Sequence, residues 1–477
     1  MIKLNFNSGK YTYDVYHIVK SFLPGAEIAQ QISPDQTEDI RVEMDSGKKF
    51  SISEVESKHV LNLKLYEWLS EMTGKQLTWG ILTGIRPTKI AMKQLEEGIK
   101  EEEILQYLKE HNRVSEQKAK LCIDIAKCEK ALLKQLDYEE GYSLYIGIPF
   151  CPTTCSYCSF TSYPIAAWKN RVEEYLDALC IELTFIGTLA KEKHKKLNTI
   201  YIGGGTPTTL EPKQLDRLLS HVEHTFSYEN LKEITVEAGR PDSITADKLE
   251  VLRNHHISRI SINPQSMQQK TLNVIGRKHT VEDIKRVYQM AREKGFDNIN
   301  MDLIAGLPGE CEADMEDTLK QIKALAPDSL TVHALALKRA SRMGQEQKQS
   351  ITGNGRDEKE MAKVLSNMID MAAKCAEEMQ LFPYYMYRQK NIAGNFENVG
   401  YAKEGKAGIY NILIMEEKQT IVAAGAGAST KLVLPNRPEY ADKNKKRIER
   451  VENVKDVEQY ISRIDEMIER KGELLWP

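Results

Sequence analysis

From Ser143 onward the chain alternates short apolar, β-rich runs with amphipathic helical stretches, and this rhythm constrains the fold more than any other feature. Residues 143–149, 198–203, 232–238, 258–264, 297–304 and 328–335 read as strands. Helical periodicity follows each of them, over 167–190, 211–226, 245–254, 280–294, 312–325 and 357–380. Parallel neighbours need a long crossover, and a helix between every two strands supplies it. Six such units are too few to close an eight-stranded barrel. The expected class is therefore α/β, a partial (β/α)6 barrel. In sheets of this kind ligands collect at the carboxyl ends of the strands. Every polar motif that follows a strand becomes a candidate on that rule.

The first strand runs into Cys151-Pro-Thr-Thr-Cys155-Ser-Tyr-Cys158. Thiolates are the usual ligands of iron–sulfur clusters, and a closed cube wants four. Three local cysteines leave one iron open to bind a small molecule. A zinc site would also want a fourth ligand at short range, and the next candidates are only Cys180 and His194. A disulfide suits an oxidising compartment. The remaining cysteines, Cys122, Cys128, Cys180, Cys311 and Cys375, lack ligand spacing and read as small buried hydrophobes.

The later strands deliver further polar groups to the same rim. Gly203-Gly-Gly-Thr-Pro-Thr208 follows the second strand, where exposed backbone N–H groups would suit an anion. Glu237 ends the third, Gln265 follows the fourth, and Asp302 lies in the fifth just before Gly306-Leu-Pro-Gly309. Any one of these is commonly a satisfied surface group. Four strands feeding one rim is a constellation.

Outside this repeat, residues 1–140 read as an N-terminal α+β domain. Lys3-Leu-Asn-Phe and residues 39–44 are its strands, Ser57 to Trp68 starts a helix, and amphipathic helices follow over 89–111 and 115–135. The turn Trp79 to Lys89 is either an anion site or a plain Gly/Pro loop. Residues 141–340 form the barrel, and 341–477 a mostly helical C-terminal region. Its charged tail, Glu439 to Lys471, reads as a solvated helix pair or a lid, with Trp476 as a packing anchor. A net charge of −3 gives no nucleic-acid surface. No apolar run reaches the roughly 18 residues of a membrane span, and the N-terminus has no apolar leader, so a cytoplasmic protein is expected.

Ile148-Pro-Phe-Cys, Cys155-Ser-Tyr-Cys-Ser-Phe160, Gly203-Gly-Gly-Thr-Pro-Thr, Ser261-Ile-Asn-Pro-Gln-Ser, Asp302-Leu-Ile-Ala-Gly-Leu-Pro-Gly-Glu310 and Ala424-Gly-Ala-Gly-Ala-Ser429 occur in that order. Together they resemble the oxygen-independent coproporphyrinogen III oxidase family of radical S-adenosylmethionine (SAM) proteins. Tyr384-Tyr-Met-Tyr-Arg-Gln-Lys-Asn391 and the long N-terminal extension are similar to its HemZ-type coproporphyrinogen dehydrogenase subgroup. The resemblance implies a [4Fe–4S] cluster on Cys151, Cys155 and Cys158, with SAM on the open iron against Tyr145, Gly204 and Glu237. It places Tyr157, Gly205, Thr206, Gln265, Arg277, Asp302 and Ala336 further out, where the best-known members hold a second SAM. The implied partners are a tetrapyrrole or heme and a low-potential donor such as flavodoxin or ferredoxin.

Two positions depart from the best-known oxidases, which carry a His where this chain has Gly147 and a Cys where it has Phe160. The Phe form resembles the family's heme-chaperone branch. The leading expectation is oxidative decarboxylation of two propionates of coproporphyrinogen III. The alternatives are a heme chaperone, with His279 or His333 as axial ligand, and radical chemistry on another tetrapyrrole.

Overall fold

In the computed structural model, residues 1–24, 26–34, 39–84, 86–160, 162–335, 358–388, 396–434 and 448–476 are described. The chain divides into two compact units. The first comprises residues 1–128, 352–367 and 386–398, and the second 129–351, 368–385 and 399–477.

The first unit contains a sheet of β1 (Ile2–Phe6), β2 (Ile28–Ile32), β3 (Asp39–Met44) and β4 (Lys49–Ser53), in the order β2-β1-β3-β4. Alternation puts Leu4, Phe6, Ile40 and Val42 inward. They share a core with Val15, Val19 and Phe22 of helix Thr12–Phe22, and with Leu61 and Leu65 of helix Lys58–Thr73. The single helix expected over 89–111 is two, Thr88–Glu96 and Glu101–Asn112. Gly98 adopts φ +81° between them, a left-handed turn that ends the first. In the Trp79–Lys89 turn, Gly80 passes so close to Asn112 that a Cβ would lie 1.9 Å from its carbonyl oxygen. The buried Trp79 indole donates to Glu397 Oε2 at 2.7 Å. Those two residues fix the start of the turn by packing.

The second unit is built on parallel strands: β5 (Gly141–Ile148), β8 (Lys196–Gly204), β9 (Glu233–Gly239), β10 (Arg259–Ile262), β11 (Ile299–Ala305) and β12 (Ser329–Ala334). Each β-run of the sequence appears as one of these. A short pair, β6 (Phe150–Cys151) and β7 (Tyr163–Pro164), brackets the cysteine loop. The C-terminal region adds β13 (Phe382–Arg388), β14 (Glu397–Ala402), β15 (Thr420–Ala424), β16 (Ser429–Val433) and β17 (Ile448–Glu452). The full order is β13-β14-β12-β11-β10-β9-β8-β5-β15-β16-β17. β5 pairs with β15 and β12 with β14, so the first and last barrel strands do not close on each other. The partial barrel expected from six units is what forms.

The C-terminal region is less helical than its charge pattern suggested. β15 is a parallel neighbour of β5, with all five of its residues buried, because Thr420-Ile-Val-Ala-Ala is a strand-forming run. Among the described residues the tail does end in a helix pair, packed on helix Val172–Glu192 with most of its residues facing solvent, but it is not solvated throughout. It contributes β17 and the helices Val457–Ser462 and Ile464–Leu474, and Lys471 of the last helix is fully buried. Trp476 packs edge-on to Tyr142, ring centroids 5.1 Å apart, as a packing anchor should. No helix among the described residues is long and apolar enough to cross a membrane.

Candidate functional site

β5 leads through Pro149 into β6, where Cys151 begins the loop. The Tyr163 amide closes it by donating to Pro149 O at 2.8 Å. Inside, Cys158 N–H donates to Cys155 O at 3.2 Å and Ser156 N–H to Ile275 O at 3.1 Å. All three loop cysteines are free thiols and partly exposed. Cys151 Sγ lies 3.5 Å from Thr206 Oγ1, and Arg240 Nη1 donates to Cys155 Sγ at 3.3 Å. Burial pushes the Cys151 and Cys158 thiols up, and the neighbouring cysteines add to it. Desolvated thiolates that repel one another are stable as a set only with positive charge among them, which a metal centre brings. Among the described residues no three Cys, His, Asp or Glu gather tightly enough for a single ion. A four-iron cube takes each thiolate on a different iron, so three cysteines on one short loop suit a cluster. Of the other cysteines, Cys122 and Cys375 are buried as expected. Cys311 is exposed because it starts helix Glu312–Leu325, its N–H donating to Asp314 Oδ2 at 3.0 Å.

Two amides of the glycine run serve the cysteine loop, while Gly204 lines the cavity beside it. Gly205 N–H donates to Ile148 O and Thr206 N–H to Phe150 O, both at 2.7 Å. Those amides hold the start of the cysteine loop and are not open to an anion. A Cβ on Gly205 would stand 2.4 Å from Phe150 O and 2.8 Å from its carbonyl carbon. Gly205→Ala must therefore push the loop away or break both hydrogen bonds. We expect it to cost about 1–3 kcal/mol, the range for overpacking, with reduced iron retention after reconstitution. Urea denaturation and iron assay check this, and unchanged stability would show that the loop yields freely.

Along the inner wall the strands bring the predicted carboxylates together. Glu237 Oε1 accepts from Tyr201 Oη and, at 3.1 Å, from Ser261 Oγ, while its Oε2 accepts from Asn263 Nδ2 at 3.0 Å. Burial raises the Glu237 carboxyl, and the Asp302 charge raises it further. Burial works the same way on Asp302, but His333, Asn300 and Arg259 outweigh it and hold that carboxyl below its usual range. Asn300 Nδ2 donates to Asp302 Oδ1 at 2.7 Å, and His333 Nε2 lies 3.8 Å from Oδ2. Two carboxylates with separated affinities for a proton is a pattern of functional sites. Tyr145, Tyr201 and Tyr410 stack beside them, the last two at 4.4 Å between centroids.

Gln265 follows β10 with φ +67°, a left-handed backbone held by Gln265 N–H donating to Asp302 O and Ile304 N–H donating to Gln265 O, both 2.9 Å. Its buried Oε1 has no hydrogen-bond partner, an acceptor that calls for a ligand. Arg277 is buried behind the loop, donating to Asn263 O and, at 3.3 Å, to Tyr157 Oη. That contact with Arg277 is secondary to burial, which pushes the Tyr157 hydroxyl up to about 12. Ala336 lies outside the described residues. His279 is only 2% exposed, with Asp242 Oδ1 3.5 Å from its Nδ1.

A cavity of about 200 Å³ opens beside the cysteine loop, between Tyr145, Gly147, Gly204, Phe160 and residues 426–428. The Ala424–Ser429 run forms one wall. Gly425 adopts φ +106° and lies so near β5 that a Cβ would stand 2.5 Å from Gly147 O. Sequence reasoning missed Tyr201, Tyr410 and Arg240. Arg240 follows β9 directly, and the rule of the strand carboxyl ends could have flagged it.

The radical SAM superfamily model matches residues 145–322. The oxygen-independent coproporphyrinogen-III oxidase-like protein HemZ of Bacillus subtilis is 42% identical over 464 residues, 96% of this chain and 87% of that protein. The heme chaperone HemW of B. subtilis is 39% identical over 40% of this chain and 50% of its own length. The oxygen-independent coproporphyrinogen III oxidase of Escherichia coli is 33% identical over 41% of this chain and 42% of its own. The solved E. coli coproporphyrinogen III oxidase HemN, a radical SAM enzyme, aligns with TM-score 0.52 at 22% identity, over 71% of this chain and 73% of that one. It shares the fold. Members of this superfamily use a [4Fe–4S] cluster and SAM, and the three thiols of the loop, with the orphaned Gln265 Oε1 among the barrel's polar groups, fit that pair. The chain belongs to the radical SAM family of coproporphyrinogen oxidases, HemZ and HemW, on the HemZ side.

Proposed function

We propose that the protein is an oxygen-independent coproporphyrinogen III dehydrogenase, converting two propionates of its substrate to the vinyls of protoporphyrinogen IX. The observation that carries this reading is the extent of the HemZ similarity. It spans 96% of the chain, whereas similarity to the HemW chaperone and to the E. coli oxidase covers 40% and 41%, so the oxidase-like HemZ is the relative that supports the reading. Cys151, Cys155 and Cys158 would hold the cluster, and Tyr145, Gly204 and Glu237 the SAM on its open iron. When bound, these supply a 5′-deoxyadenosyl radical able to take hydrogen from an unactivated C–H. In each conversion the propionate loses one hydrogen atom, carbon dioxide and one electron, which a separate acceptor takes.

This chain's residues bind and orient. Glu237 offers a desolvated acceptor whose orientation Tyr201, Ser261 and Asn263 fix. Gln265 offers the unpartnered Oε1. Buried aromatic walls keep water from the reacting centre, as cofactor enzymes require. Arg277 is too deeply buried to greet a propionate from solvent, which favours a role against the cofactor instead.

A heme-delivering role is the second reading, motivated by Phe160, which stands 73% exposed at the cavity rim. Neither proposed axial ligand favours it, since His279 is buried and His333 engages Asp302. Anaerobic reconstitution with SAM, a low-potential reductant and coproporphyrinogen III, followed by mass spectrometry, tests both. Protoporphyrinogen with stoichiometric 5′-deoxyadenosine is expected. Deoxyadenosine alone would move the substrate elsewhere, and tight heme binding without SAM cleavage would overturn the enzymatic reading.

A further inference from the structure

Arg240 is a buried cation hydrogen-bonded to the middle cysteine of the loop. The residue leaves β9 and is 3% exposed. Its Nε and Nη2 edge is taken by Asp242, at 2.8 Å to Oδ1 and 2.6 Å to Oδ2, a two-pronged grip that fixes the plane of the guanidinium. Nη2 also donates to Thr153 Oγ1 at 3.1 Å. The remaining edge points into the cysteine loop, where Nη1 donates to Thr153 O and to Cys155 Sγ, each at 3.3 Å. Neither the family resemblance nor the polar rim of the barrel calls for an arginine here.

We propose that Arg240 tunes the reduction potential of the cluster through its N–H···S bond to Cys155. Reducing the cluster by one electron places more negative charge on its sulfur ligands. A cationic donor to one of them stabilises the reduced form more than the oxidised form and raises the potential. The site is desolvated, so the effect is screened less than at a surface. Asp242 sets the strength of the device. It orients the guanidinium and offsets part of its charge, which keeps the potential low enough for the cluster to remain a strong reductant. Arg240 is thus a positioning and tuning residue, not a catalytic one. The inference rests on Cys155 being a cluster ligand.

The test is an EPR-monitored redox titration of the reconstituted full-length protein without SAM, with iron and sulfide content measured on the same samples. Wild-type cluster content and its reduced-state signal check the ligand assignment separately. In Arg240→Met the ratio of reduced to oxidised cluster at a fixed poise should fall at least tenfold, which is 59 mV for a one-electron couple. Arg240→Lys, which keeps the charge, should recover most of that ratio. A purely structural arginine would move cluster content and leave the potential of the surviving cluster alone. Arg240→Met with full cluster and the wild-type ratio overturns the proposal. Should Arg240→Met fail to assemble a cluster, Asp242→Asn decides. Losing the offsetting charge should raise the reduced fraction, and an unchanged or lowered ratio there would equally overturn it.

Discussion

Cys155→Ala is expected to abolish the brown cluster absorbance and SAM cleavage together, bringing 5′-deoxyadenosine down to the level of a protein-free control. The three loop cysteines are the only local donors of their kind, and the turn that presents them is fixed by Cys158 N–H to Cys155 O and Ser156 N–H to Ile275 O. Deleting the middle thiol leaves two ligands for a cube that already has an open iron. It also leaves Arg240 beside an apolar methyl, a buried cation that has lost one acceptor. Cys311→Ala is the matched control. That thiol is exposed at a helix start remote from the loop in sequence, and its loss should leave cluster content intact. Full SAM cleavage by Cys155→Ala would remove the metal assignment, and with it the proposal for Arg240.

Much of this site was legible because the rule of strand ends is geometric. Tyr145, Glu237 and Asp302 lie within strands that alternate inward and outward, so knowing the strands gives the face. Gln265 was found by its place after β10, but its left-handed backbone and orphaned oxygen depend on pairing with β11, which no local pattern shows. Gly205 is a case where composition alone is ambiguous. The composition of its run pointed to a ligand, and the reason for Gly205 is the carbonyl of Phe150 lying 2.4 Å from where a Cβ would be. Close approach of two backbones and close approach to a ligand select the same residue. Arg240 was overlooked for want of a partner in sequence: Asp242 is near, but Cys155 is 85 positions away.

In the tail, the burial of one charge was missed for a similar reason. Between residues 439 and 471 charges of both signs crowd the sequence, and surface charge is the usual explanation. Burial of one charge depends on a partner elsewhere in the chain. Lys471 has it in Glu182, 289 positions earlier. Helix Ile464–Leu474 also comes close enough to helix Val172–Glu192 that a Cβ on Gly472 would lie 3.3 Å from the Phe185 ring.

Replacing that lysine should therefore have a large effect. Lys471 and Glu182 are both fully buried, with Lys471 Nζ donating to Glu182 Oε1 and to Asn453 Oδ1 at 2.6 Å each. Glu182 is also the acceptor for Asn453 Nδ2 at 2.8 Å, Tyr460 Oη at 2.5 Å and the Gly425 amide at 2.9 Å. Lys471→Met strands a carboxylate in the interior, for which about 3–5 kcal/mol of destabilisation is expected. The urea midpoint should fall accordingly, since stability falls linearly with denaturant. The double variant Glu182→Leu with Lys471→Met removes both charges and should recover part of the loss. Full recovery is not expected, because the Gly425 amide and the Tyr460 hydroxyl would lose their acceptor. The same bonds explain why function should suffer in either variant. Gly425 opens the Ala426–Ala428 wall of the cavity beside the cysteine loop, and Glu182 is what anchors its amide. A Lys471→Met protein with wild-type midpoint would show that the tail is a removable cover after all, and that the cavity wall stands without it.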